Sequence, residues 1–140
     1  FASDEKSIRR PTTSFVRRCP KKTEERKMVN KQKDMIASIK HQMRGGSGDV
    51  EVLSLSEERP GRVRLFARLT IGPGCSIGYH VHEGETEMFA FVAGRGRVRD
   101  DGEFRDVQAG DSMVTFPGHG HAVENTGGEN LVMIAVIVLE

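Results

Sequence analysis

The sequence has no tryptophan, one tyrosine and only two cysteines in 140 residues. Two cysteines, Cys19 and Cys75, exclude a disulfide-stapled secreted scaffold. Long apolar runs are missing too. The longest, Leu131–Leu139, has nine residues, whereas a helical membrane span needs about 20. The first 30 residues hold no apolar stretch of the signal-peptide kind. The expectation is therefore a soluble, cytoplasmic protein with no membrane partner. Two further absences divide the chain. No glycine occurs before Gly45, and no lysine occurs after Lys40.

What is present follows the same division. Residues 1–44 carry a net charge of +8, residues 45–140 a net charge of −7, and all sixteen glycines lie in the second part. The length allows one folded domain, so the reading is a basic arm, 1–44, followed by a domain, 45–140. In residues 1–22 paired bases and two prolines accompany no apolar periodicity, which predicts irregular chain. From Thr23 a capping residue, Glu24, Glu25 and a stripe of Met28, Met35, Ile36, Ile39 and Met43 predict one helix over about 23–44. Lys40, His41 and Arg44 would fill its last turn, and Gly45 would end it. The basic clusters suit phosphates, but Phe1 and Phe15 are the arm's only aromatics and no recognition motif is present. Nucleic acid is not the expected partner.

After residue 44 the period becomes two. Val63, Leu65, Ala67, Leu69 and Ile71 alternate with Arg62, Arg64, Phe66, Arg68 and Thr70, the mark of a half-buried strand. Further strands are predicted near Val50–Val52, Ile77–His82, Glu87–Ala93, Arg97–Arg99, Glu103–Val107, Ser112–Phe116, His121–Asn125 and Leu131–Leu139. Glycine-containing turns separate them, and no crossover helix fits between them. An antiparallel sandwich or barrel follows, and a parallel sheet is excluded. Leu131–Leu139, apolar throughout, predicts a strand covered on both faces, or one covered on one face by the barrel and on the other by a second subunit.

The chemistry gathers around four residues. His80 and His82 are two apart on a strand, so both imidazoles share a face with Cα atoms about 6–7 Å apart. Glu87 opens the next strand, where an antiparallel return can set its carboxylate opposite the pair. His121 follows a later glycine-rich turn and can be a fourth ligand. Three imidazoles and one carboxylate leave a divalent ion a net positive charge and open coordination positions. Glu83 and Glu85 read as ordinary loop acids. Phe89 and Phe91 share the parity of Glu87 and should line the barrel below the ion. His119, two residues before His121, is a candidate general acid or base. Tyr79 should face outward, Cys75 reads as a small buried residue, and Asn125 as a hydrogen-bonder at a strand end. Arg64, Phe66 and Arg68 share a face by alternation, which does not say whether that face points in or out.

These spacings resemble a known family. Gly74, five residues, His80, one residue, His82, four residues, Glu87, six residues and Gly94 match the first motif of the cupin superfamily. Gly110, Gly118, His121 and Asn125 match its second, with Pro117 one position late and 15 residues, Arg95–Ala109, between the motifs. The chain from about 50 to 139 resembles a single-domain cupin. The resemblance implies an all-β jelly-roll barrel and frequent homodimers. It also implies one divalent metal ion per chain (iron, manganese, nickel, zinc or cobalt) held by His80, His82, Glu87 and His121. Two functions fit such a site. One is a metal-dependent enzyme acting on a small polar or anionic molecule, as an oxygenase, decarboxylase, isomerase or lyase. The other is a module that binds metal and a small ligand for sensing, storage or structure. The lack of lysine in the domain excludes a Schiff-base mechanism there.

Overall fold

The structure is a computed structural model that describes residues 28–140. Its ten strands are β1 (Ala37–His41), β2 (Asp49–Ser54), β3 (Val63–Ile71), β4 (Ser76–Val81), β5 (Glu85–Ala93), β6 (Arg95–Asp100), β7 (Glu103–Gln108), β8 (Ser112–Thr115), β9 (Gly120–Glu124) and β10 (Leu131–Leu139). They form two antiparallel sheets, one of six strands in the order β1-β2-β3-β10-β5-β8 and one of four in the order β4-β9-β6-β7. This is an all-β jelly roll, as expected. No helix of the described residues is long and apolar enough to cross a membrane.

Alternation builds the core. Ala67, Leu69 and Ile71 of β3 are buried, as are Leu131, Met133, Ala135 and Ile137 of β10, and Phe89 and Phe91 of β5. They face Ile77, Val98 and Val123 of the smaller sheet. β10 lies between β3 and β5, with Ala135 opposite Ala67 on one side and Phe89 on the other. Its remaining residues, Val132, Ile134, Val136 and Val138, are half-buried on the outer face of the large sheet. Among the described residues, the strand is therefore not fully covered on its outer face.

The arm departs from expectation. Residues 1–22 and the start of the expected helix, 23–27, lie outside the described residues. Residues 28–44 do not form the helix. They contain two short 3-10 turns, Gln32–Asp34 and Met43–Gly45, with strand β1 between them. β1 pairs with β2, placing Ile39 opposite Glu51. Ladder bonds to β2 replace the intrahelical ones, an override of local propensity by tertiary pairing. Gly45 does adopt a left-handed φ of 80°, but it follows Gln42 and Arg44, which are also left-handed, at φ 45° and 56°. The chain thus coils tightly back into β2, and the large sheet begins before Arg44-Gly45.

This turn is packed against the strand that carries the histidines. A Cβ at Gly78 would lie 2.1 Å from the Arg44 carbonyl oxygen, and one at Gly46 would lie 2.1 Å from that of Ser76. Only glycine permits either approach, so both positions are closed to any side chain.

Candidate metal centre

The two sheets meet at one end of the barrel, where their strands contribute different donors. β4 supplies His80, and His82 follows directly after it. β9 supplies His121, which pairs across the ladder with His80. From the opposite sheet β5 supplies Glu87, paired with Thr115 of β8. One donor atom from each of His80, His82, Glu87 and His121 lies within 4.8 Å of the others. His82, Glu87 and His121 are buried, and His80 is half-buried at the rim.

The spacing between donors fits one shared ion. Glu87 Oε2 is 2.8 Å from His82 Nε2 and 3.0 Å from His121 Nε2. The two Nε2 atoms are 3.2 Å apart. Donors held at about 2.1 Å from one ion, at right angles to each other, sit about 3.0 Å apart. The far side of each ring is also engaged. His80 Nδ1–H donates to the Gly78 carbonyl at 2.8 Å, and His82 Nδ1–H donates to Glu85 Oε1 at 2.8 Å. His121 Nδ1 shares a 2.6 Å hydrogen bond with Thr115 Oγ1. With its proton on Nδ1, His82 turns a bare Nε2 lone pair toward the Glu87 carboxylate. Acceptors converging in a buried site call for a cation between them. The residues therefore can hold a metal ion.

Burial pushes the His80 pKa down, and the neighbouring His121, His82 and Arg44 charges add to this against the opposing Gly78 hydrogen bond. A neutral ring is the form that ligates. Below the donors lies an apolar floor. Phe89 stacks on His121 with centroids 5.0 Å apart, and Phe91 meets Phe89 edge-on at 6.1 Å. Both phenylalanines are where the parity argument put them.

His119 stands apart from the four. Its ring is exposed and donates from Nδ1 to Asp101 Oδ2 at 2.6 Å. Asp101 also accepts the Gly120 N–H, its largest stabilisation, and its pKa is lowered while that of His119 is raised by the same pairing. Tyr79 faces outward, beneath the Arg99 guanidinium. Cys75 is half-buried with a free thiol. Asn125 is buried and ties strand ends together, donating to the Ile71 and Glu129 carbonyls and accepting from Gly127 N–H.

Sequence reasoning missed the groups behind the donors. Glu85 is no loop acid. It opens β5, accepts the His82 proton and is gripped by both Arg64 Nε and Nη2 at 2.7 Å. Those hydrogen bonds from Arg64, then from His82, hold its carboxyl down at about 2. Its place three residues after His82, with the parity of Glu87, was the available signal. Thr115 and Asp101 had none, because their roles depend on which strands pair.

Comparison with known proteins agrees with this fold. Residues 67–137 match the family model described as the cupin domain. An oxalate-binding protein from Thermotoga maritima is 43% identical over 99 residues, covering 69% of this chain and 82% of that protein. A T. maritima crystal structure described as a predicted oxalate decarboxylase superposes with a TM-score of 0.77 at 38% identity, covering 81% of this chain and 100% of that one. The cupin domain of Schizosaccharomyces pombe Cnp3 has a TM-score of 0.61 at 13% identity, covers 74% of this chain and 69% of that one, and shares the fold alone. With both motifs folded around one cluster of donors, and the family's model matched across the barrel, the chain belongs to the cupin family.

Proposed function

We propose that the chain binds one divalent metal ion through His80, His82, Glu87 and His121, and through it a small anionic oxygen chelator. The observation that carries this reading is the convergence of four donor atoms, each ring fixed from behind, over a dry phenylalanine floor. Such an ion supplies Lewis acidity and a net positive charge after Glu87. A dicarboxylate would offer such an ion two oxygens. The name of the T. maritima relative makes oxalate the first ligand to try. Phe89 and Phe91 exclude water from beneath the site, and the rim beside His80 is the open side.

The test is calorimetry of oxalate with the manganese-loaded protein, with His82→Ala as control. Saturable binding that needs both metal and His82 supports the reading. Absence of metal uptake, or oxalate binding indifferent to metal, overturns it.

A second reading adds turnover, and His119 is its proton carrier. The His119 carbonyl accepts the His82 N–H at 3.0 Å, which ties this turn to the ligand strand. If the site is catalytic, His119→Ala lowers turnover by about 10²–10⁴-fold with metal content unchanged. Saturable binding without turnover leaves the binding module as the function. We also infer a homodimer through the outer face of the large sheet, where β10 is half-covered.

A further inference from the structure

β3 and β10 fall out of register at one point. Leu65 pairs with Ile137 and Val63 with Val138, leaving Arg64 as an extra residue between them. A bulge of this kind bends the strand and re-aims a side chain, most often at the rim of a barrel. It breaks the alternation that groups Arg64 with Phe66 and Arg68. Arg68 keeps to the expected pattern, opposite Ile134 and Leu53, with Nη2 3.9 Å from Glu51. Arg64 instead reaches past the end of β10, where Leu139 N–H binds the Arg62 carbonyl, to Glu85 on β5. Two parallel N–H···O bonds at 2.7 Å make a fork that fixes the carboxylate plane. Glu85 is little exposed, at 13% of its side chain, so the plane has little freedom to turn.

We propose that Glu85, clamped by Arg64 at the β3 bulge, is the positioning residue of the metal centre, holding the His82 proton on Nδ1 so that Nε2 faces the ion. The proposal rests on reading the four donors as a metal site. Among the three histidines, His82 alone has a carboxylate behind it. His80 has a backbone carbonyl and His121 a hydroxyl. A carboxylate fixes the ring orientation and raises the basicity of the ligating nitrogen, and loss of such a partner typically weakens metal binding by about 10–100-fold. Arg64 is needed because Glu85 lies two residues from Glu87 on the same face of β5. Without the guanidinium, two carboxylates would crowd one donor set. The bulge thus serves the site from outside the motif that supplies its ligands.

The experiment compares the full chain with Glu85→Ala, Glu85→Gln and Arg64→Ala. Manganese affinity is measured by calorimetry, and the His82 tautomer in metal-free protein by long-range ¹H–¹⁵N correlation. Glu85→Ala is expected to weaken manganese binding by about 10–100-fold and to mix the His82 tautomers. Glu85→Gln keeps an acceptor for Nδ1–H and should recover the tautomer, with a smaller loss of affinity. Arg64→Ala should lose affinity while Glu85 is still present. A folded Glu85→Ala with wild-type tautomer and affinity overturns the proposal, even with a lower melting temperature, since that is a purely structural role. If Glu85→Ala does not fold, Arg64→Ala decides, and wild-type affinity there overturns it. Wild-type protein that binds no manganese, zinc or cobalt fails at the earlier step, and the metal reading falls with this one.

Discussion

His82 faces carboxylates on both sides, and the two do different things. Glu85 accepts the Nδ1 proton, while Glu87 Oε2 sits 2.8 Å from Nε2, at the spacing of two donors to one ion. Removing Glu87 or His82 therefore deletes a donor. A metal present at 100 times its dissociation constant stabilises by about 2.7 kcal/mol, which for a domain near this size is roughly 10–20 °C of melting temperature. That rise is expected for wild type on adding manganese or zinc. It should vanish in Glu87→Ala and His82→Ala, as scanning calorimetry with and without chelator would show. The His119–Asp101 pair gives a separate residue-scale test. The Asp101 pKa is lowered, so its contribution is present above about pH 3.9 and is lost as pH falls through the lowered value. The His119 pKa is raised, so its contribution is present below about pH 6.5 and is lost as pH rises through the raised value. The pair is thus complete in weak acid. NMR titration should place the His119 midpoint above about 6.5, and Asp101→Asn should return it to the ordinary range. An unmoved midpoint in Asp101→Asn would mean that the pair does not form in solution.

At the scale of elements, legibility followed locality. The limits of β3 and β10 were read directly, because alternation or an unbroken apolar run lies between clear turn signals there. The ligand set was legible because a strand pair and two glycine-bounded motifs fix its spacing. β1 was not legible. Its Ile39 stands at helical intervals from Met35, Ile36 and Met43 outside it, and its strand state comes from register with β2, a partner that local sequence does not name. The same holds for the Arg64 bulge, which exists only relative to β10. A consequence can be measured. A chain begun at Gly45 keeps all four donors but loses β1 and the Arg44 carbonyl packed on Gly78. It should still bind one metal ion per chain, with a melting temperature lower by roughly 5–15 °C. A chain begun at Met35 should melt like the full one. Equal melting of both shortened chains would show that β1 adds nothing to the barrel.

Across the whole molecule, the outer face of the large sheet is where the fold is least self-sufficient. Phe66, Val136, Met88 and Val114 stand in one register row across β3, β10, β5 and β8. Phe66, Met88 and Val114 remain 37%, 38% and 46% exposed. Ile134 and Ala90 continue the face beside Arg68. Hydrophobic residues at every position of β10 are what a strand covered on both sides requires, and the described residues cover only the inner side. A second copy laid face to face would bury the row, and a twofold arrangement lets the same patch meet itself. The metal donors lie inside the barrel, so this contact can be broken without touching them. Met88→Asp should convert a dimer to a monomer in light scattering at micromolar concentration, because it sets a charge at the centre of the apolar row. Its metal content per chain should stay at the wild-type level. Wild-type protein that is monomeric at the same concentration would end the dimer reading, and loss of metal in a folded Met88→Asp monomer would mean that the outer face and the site are not independent.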